Sequence, residues 1–168
     1  MKISKEFFQF SKPSLVLVTG SHSAEIYYSY QGEIIKVDSF KTENPVYSDK
    51  EGFFTRAGGG VRCGSGSVLE INKGEILKKF VRELKSRIEK ILQEKTVEEV
   101  FLFQPRHLKK IINDELDSTI KDREWSMIEG NFIGHHPFDL IKMIQGKIQE
   151  KKPILASESA LKILKKKK

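Results

Sequence analysis

Leu15-Val16-Leu17-Val18 constrains the fold more than any other stretch of the sequence. A continuous apolar run this short, half of it valine, reads as a strand rather than a helix. A strand without polar side chains has to be covered on both faces, which happens inside a sheet flanked by other elements. Thr19-Gly20 stops the run. Glu25 to Tyr30 is again rich in strand formers. Gln31-Gly32 then separates it from Glu33 to Phe40, and a two-residue link with glycine second is the mark of a type I′ hairpin. The chain is therefore expected to open with a three-strand antiparallel meander. An N-terminal arm, residues 1–13, precedes it and is expected to dock through Phe7, Phe8 and Phe10.

The second half changes period. Ile76, Leu77, Phe80, Val81, Leu84, Ile88, Ile91 and Leu92 recur at helical spacing, so one face of a helix ending near Lys95 is buried. Asn72 and Glu75 stand at capping-box spacing and predict its start. Val97 to Phe103 reads as a strand. Pro105 suits the first turn of a second helix, predicted to bury Leu108, Ile111, Ile112 and Leu116. Glu124 to Phe132 reads as a further strand, with Trp125 and Met127 on one side. Pro137 opens a third helix carrying Leu140, Ile141, Ile144 and Ile148, and Pro153 ends it. Residues 154–164 are predicted to hold one short terminal helix. A meander followed by α-β-α-β-α predicts an α/β fold: one mixed sheet with helices on its faces, in the ribonuclease H-like order. The expected layout is the arm (1–13), a single domain over 14–150, and a C-terminal extension over 151–168.

Residues 41–71 show neither period. Between Gly52 and Leu69 stand six glycines (Gly52, Gly58, Gly59, Gly60, Gly64, Gly66), Arg56 and Arg62, and no acid. Glycine-rich backbone can bring its amides close to a phosphate or a carbonyl. Arginine presents a planar fork of donors that suits phosphate oxygens. A solvated surface loop is the plain alternative. Charge points the same way. The net charge is +7, but Lys162, Lys165, Lys166, Lys167 and Lys168 supply most of it. Without those five, 25 Lys and Arg face 23 Asp and Glu, a balance of +2. A basic tail on a near-neutral body is a sequence-blind handle for polyanions, RNA or an anionic membrane surface.

Several classes of chemistry lack their residues. A two-metal nuclease needs carboxylates gathered at strand ends; the first strand has none, and Asp38 and Asp49 stand apart. Neither a Walker pattern nor a complete Gly-x-Gly-x-x-Gly is present. Cys63 is the one cysteine, which excludes an internal disulfide framework, and its neighbour Arg62 alone does not make a nucleophile. The histidines at 22, 107, 135 and 136 carry no metal-ligand spacing, and His135-His136 before Pro137 reads as a helix cap. No metal or cofactor is expected. Gln104, Arg106 and His107 follow a strand, where ligands gather in α/β sheets, and form a candidate polar cluster. An exposed helix start is the alternative. No apolar run reaches the ~20 residues of a membrane span, and no signal-like segment opens the chain. A soluble cytoplasmic protein is expected.

Residues 15–27, LVLVTGSHSAEIY, and Phe101-Leu102-Phe103-Gln104-Pro105-Arg106-His107-Leu108 resemble the bacterial relatives of the middle domain of archaeal and eukaryotic peptide-chain release factors. That group includes the family called "protein required for attachment to host cells". The resemblance spans roughly residues 14–149 in pattern and order. It implies the ribonuclease H-like fold. It also implies that the segment between the third strand and the first long helix serves the ribosome. In release factors that segment bears Gly-Gly-Gln, whose glutamine assists water on peptidyl-tRNA. Here Gly58-Gly59 is followed by Gly60, so the catalytic glutamine is missing. Three readings stay open. The first is a non-catalytic ribosome-, rRNA- or tRNA-binding protein using Arg56, Gly58, Gly59, Gly60, Arg62 and Lys165 to Lys168. The others are a hydrolase of peptidyl-tRNA or a related ester, and a protein-interaction module.

Overall fold

A computed structural model describes residues 1–43 and 68–151, without the side chains of 68–73 and 151. The elements are β1 (Ser14–Thr19), β2 (Ser23–Tyr30), β3 (Glu33–Lys41), α1 (Val68–Glu94), β4 (Glu99–Gln104), a 3₁₀ turn at Arg106–Leu108, α2 (Lys109–Ile120), β5 (Glu124–Glu129) and α3 (Pro137–Lys151). They build one five-stranded sheet in the order β3-β2-β1-β4-β5. β1 is antiparallel to β2 and parallel to β4; β2 is antiparallel to β3, and β5 parallel to β4. This is the mixed α/β sheet, in ribonuclease H-like order, that the sequence predicts.

The apolar run sits at the centre, and its alternation divides the core. Leu15 and Leu17 of β1 and Val100 and Leu102 of β4 face α1 and α2, where they meet Phe80, Leu84, Ile88, Ile112 and Leu116. Val16, Val18, Phe101 and Phe103 face the other way, onto α3 and the N-terminal arm. The period-2 geometry of a strand requires this split once both faces are covered. The arm docks as expected. Phe10 is fully buried, Phe7 stacks on Phe138 with centroids 5.1 Å apart, and Ile3 N donates to Gly32 O at 2.6 Å. Gln31 and Gly32 both take positive φ, 50° and 77°, as a type I′ turn requires.

Some details differ from the sequence expectation. α1 begins at Val68, so Asn72 lies inside the helix rather than at its cap, and the aperiodic segment loses residues 41 and 68–71 to its neighbours. Leu69 and Glu70 are good helix formers, and an interior Asn or Gly costs no more than about 1 kcal/mol. Ile111 is 41% exposed instead of buried. The buried stripe of α2 is Ile112, Leu116 and Ile120, spaced by four, and Ile111 lies about 100° off it. β5 stops at Glu129, so Phe132 reaches the core from a turn, its ring edge-on to Phe103 at 5.2 Å. Pro105 precedes the 3₁₀ turn, which separates it from α2. The terminal helix expected at 154–164 lies outside the described residues.

The early start of α1 is testable at Gly74, which is exposed and has nothing within 4 Å of the place a Cβ would take. Gly74→Ala is expected to stabilise the protein by about 0.5–1 kcal/mol, read from the denaturation midpoint. An unchanged or lower midpoint would mean that residue 74 is not helix interior.

Candidate functional site

The described structure gathers polar groups at the edge of the sheet where the parallel strands end. β1, β4 and β5 finish there at Thr19, Gln104 and Glu129. β3 leaves the sheet at the same edge, because Lys41 pairs with Ser23 at the start of β2. Hydrogen bonds tie these chain passages together. Thr19 Oγ1 donates to Phe103 O at 3.0 Å, Gly130 N to Gln104 O at 2.9 Å, and Thr42 N to His22 O at 2.8 Å. Gly20 is needed for the close packing, since a Cβ there would stand 2.9 Å from Ile133 Cγ1.

The sequence-predicted cluster divides in two. Arg106 and His107 are exposed and line a groove of about 520 Å³ with Lys109, Lys110, Asn113, Asp114 and Glu129. His107 Nε2 lies 3.5 Å from Ser21 Oγ. Gln104 is fully buried beneath this surface, with Nε2 donating to Asn113 Oδ1 at 3.0 Å and lying 2.9 Å from Met127 Sδ. It supports the groove through Asn113 rather than lining it. Lys109 Nζ meets Glu129 Oε1 at 2.7 Å. The hydrogen bond and charge of Lys109, with a smaller contribution from Arg106, hold the Glu129 carboxyl below its ordinary range. Among the described residues Arg106 and Lys110 form no ion pair within 4 Å. One guanidinium and one ammonium group are thus available to meet an anion.

Thr42 and His22, which the sequence did not assign to a site, also belong to this edge. His22 Nδ1, Thr42 Oγ1 and Gln104 Oε1 are buried without a hydrogen-bond partner among the described residues. All three belong to this edge, which therefore keeps unused hydrogen-bonding capacity. His135 and His136 lie on the nearby β5–α3 turn. His136 caps α3 as its sequence position suggested, its carbonyl accepting from Asp139 N at 2.9 Å. Asp38, considered as a metal ligand, is held by Arg87, whose Nη1 donates to both carboxylate oxygens at 3.0 and 2.8 Å. Among the described residues no group of three or more His, Cys, Asp or Glu could hold a metal ion, and no helix is long and apolar enough to cross a membrane. Arg56, Gly58, Gly59, Gly60, Arg62, Cys63 and Lys165 to Lys168 lie outside the described residues.

Glu25 of β2 fastens the β5–α3 turn to the sheet. Its carboxylate accepts from Lys36 Nζ at 2.7 Å, Tyr27 OH at 3.1 Å and Gly134 N at 3.4 Å. Burial pulls its pKa up, but the Lys36 hydrogen bond and charge, with Gly134 and Tyr27, bring it below the ordinary 4.5. Burial, with the Glu25 charge, pushes Tyr27 up to about 12, so its phenol stays protonated and donating. A carboxyl depressed on folding stabilises the fold above its unfolded pKa, and that contribution is lost as pH falls through the folded value. Glu25→Gln is therefore expected to lower the melting temperature at pH 7. The gap between variant and parent should close as pH drops from 4.5 through the folded pKa of Glu25. A gap independent of pH would remove Glu25 from this role.

No family model matches the sequence, and no curated protein matches it. Among solved structures, the crystal structure of the archaeal translation termination factor aRF1 is similar to this chain at 8% identity, with a TM-score of 0.47. The match covers 84% of this chain and 40% of that one, so the chain spans less than half the length of the termination factor.

Proposed function

We propose that this protein binds RNA of the translation apparatus without catalysing a reaction on it, as a release-factor-like protein of the bacterial group its sequence resembles. The observation that carries the reading is the pairing of Lys41 with Ser23. It puts the exit from β3, and so the attachment of the acid-free Gly/Arg segment, on the sheet edge that bears Arg106, His107 and Lys110. The segment that carries Arg56 and Arg62 thus leaves the described chain beside Arg106 and Lys110. Arg56 and Arg62 are the residues proposed to meet phosphates first, with Gly58, Gly59 and Gly60 allowing close backbone approach and Lys165 to Lys168 adding sequence-blind affinity. The absence of glutamine after Gly58-Gly59 is why hydrolysis of peptidyl-tRNA is not part of the proposal. Filter binding of rRNA over a salt series tests it. Binding that weakens steeply with salt supports the reading; none at low salt, or a flat response, overturns it.

A further inference from the structure

We propose that β5 is a self-pairing edge and that two copies of the chain join through it into one continuous sheet. β5 ends the sheet at one side. Glu124 N donates to Glu98 O and Gly130 N to Gln104 O, which fixes the parity of the strand. The even residues face β4, so the N–H and C=O groups of Trp125, Met127 and Glu129 point outward, away from the sheet. The apolar residues here are also incompletely covered. Trp125, Met127 and Ile128 are half-buried, whereas their β4 neighbours Val100, Leu102 and Phe103 are fully buried.

Among the described residues, the space beside this edge is open. A groove of about 630 Å³ runs along Met127 to Glu129, bounded by Lys109 on one face of the sheet and by α3 at Met143 and Gly146 on the other. Gly146 stands inside α3, where glycine costs about 1 kcal/mol relative to alanine, and beyond the helix's own backbone no described atom lies within 4 Å of the place its Cβ would occupy. Packing among the described residues gives no reason for that glycine; the approach of a strand to the edge gives one.

A second copy fits better than an unrelated strand because β5 is complementary to itself. In an antiparallel pair centred on Met127, Met127 faces its own counterpart, Trp125 faces Glu129, and Glu124 faces Gly130. All three outward donors and all three outward acceptors of each copy are then used, and no carboxylate faces another. Slipping one copy by one residue sets its outward backbone groups opposite the partner's inward ones. Slipping it by two leaves Trp125 or Glu129 opposite a residue outside β5. The Glu129 carboxylate is already turned to Lys109 on the α2 side, so it does not block the edge.

The test is sedimentation velocity on the full chain from about 1 µM to about 1 mM, the range in which a small interface associates. The mass is expected to rise from 19.3 kDa to twice that. Register is read in a Cys63→Ser background. Met127→Cys should form an intermolecular disulfide on mild oxidation, since directly opposed residues stand about 5.5 Å apart. Ile128→Cys, diagonal to its own counterpart, should not. Gly146→Leu should leave the chain folded and lose the dimer. A monomer throughout the range, cross-linking at 128 instead of 127, or a dimer that survives Gly146→Leu would each overturn the proposal. A monomer that gains a strand only from a different protein would do so as well.

Discussion

Phe103→Ala is expected to destabilise the fold by about 3–5 kcal/mol, the usual range for removing a buried aromatic ring. Domains of this size are stable by about 5–15 kcal/mol, so one substitution should take a large share of the total. The position explains the size of the effect. Phe103 is fully buried near the end of β4 and receives the Phe132 ring edge-on at 5.2 Å. Its carbonyl also accepts from Thr19 Oγ1 at 3.0 Å, joining β1 to β4. Truncation leaves a cavity and removes the surface on which the β5–α3 turn rests. Phe103→Leu keeps most of the volume and should cost less than about 1.5 kcal/mol. Urea unfolding checks both, as a fall in midpoint with little change in slope. A cost below about 1 kcal/mol for the alanine variant would mean that the side is not packed as described.

The fold was readable where side-chain period and burial agree. The β1 run had to be covered on both faces, and the structure covers it with α1 and α2 on one side and α3 with the arm on the other. The Gln31-Gly32 turn was readable because few residue pairs accept positive φ twice. The differences are local. The start of α1 departs from the sequence pattern because Asn72 and Glu75 imitate a cap inside a helix. Ile111 departs from it because a single apolar residue beside a stripe carries no direction of its own. The site was legible only in part for a different reason. Arg106 and His107 lie next to each other in sequence and were found together. Ser21, Lys41 and Glu129 join that edge only through the parallel pairing of β1, β4 and β5 and the register of β3. No local pattern encodes those pairings. Gln104 shows the converse: only Pro105 separates it from the exposed pair, yet it ends a strand covered on both faces and points inward.

The largest functional effect is expected in the salt dependence of RNA binding. Each phosphate neutralised on a single strand contributes about 0.7 to the slope of log affinity against log salt. If Arg56, Arg62 and Lys165 to Lys168 all engage phosphates, the slope is about −4, and affinity falls roughly 300-fold between 50 and 200 mM salt. Deleting the last four lysines should reduce the slope to about −1.4 and the loss over the same range to roughly sevenfold. Arg56→Ala with Arg62→Ala should instead leave a slope of about −2.8. The two variants separate a guided interaction from a merely basic tail. A tail acting alone would lose nothing when the arginines are removed, and its truncation would abolish binding. A segment that reaches into RNA would lose affinity in both variants, and more from the arginines than their two charges supply, because each bidentate fork adds hydrogen bonds that counterion release does not count. Arg106→Ala completes the comparison: a further drop of about 0.7 in slope would extend the interface onto the sheet edge, whereas an unchanged slope would confine it to the segment and the tail.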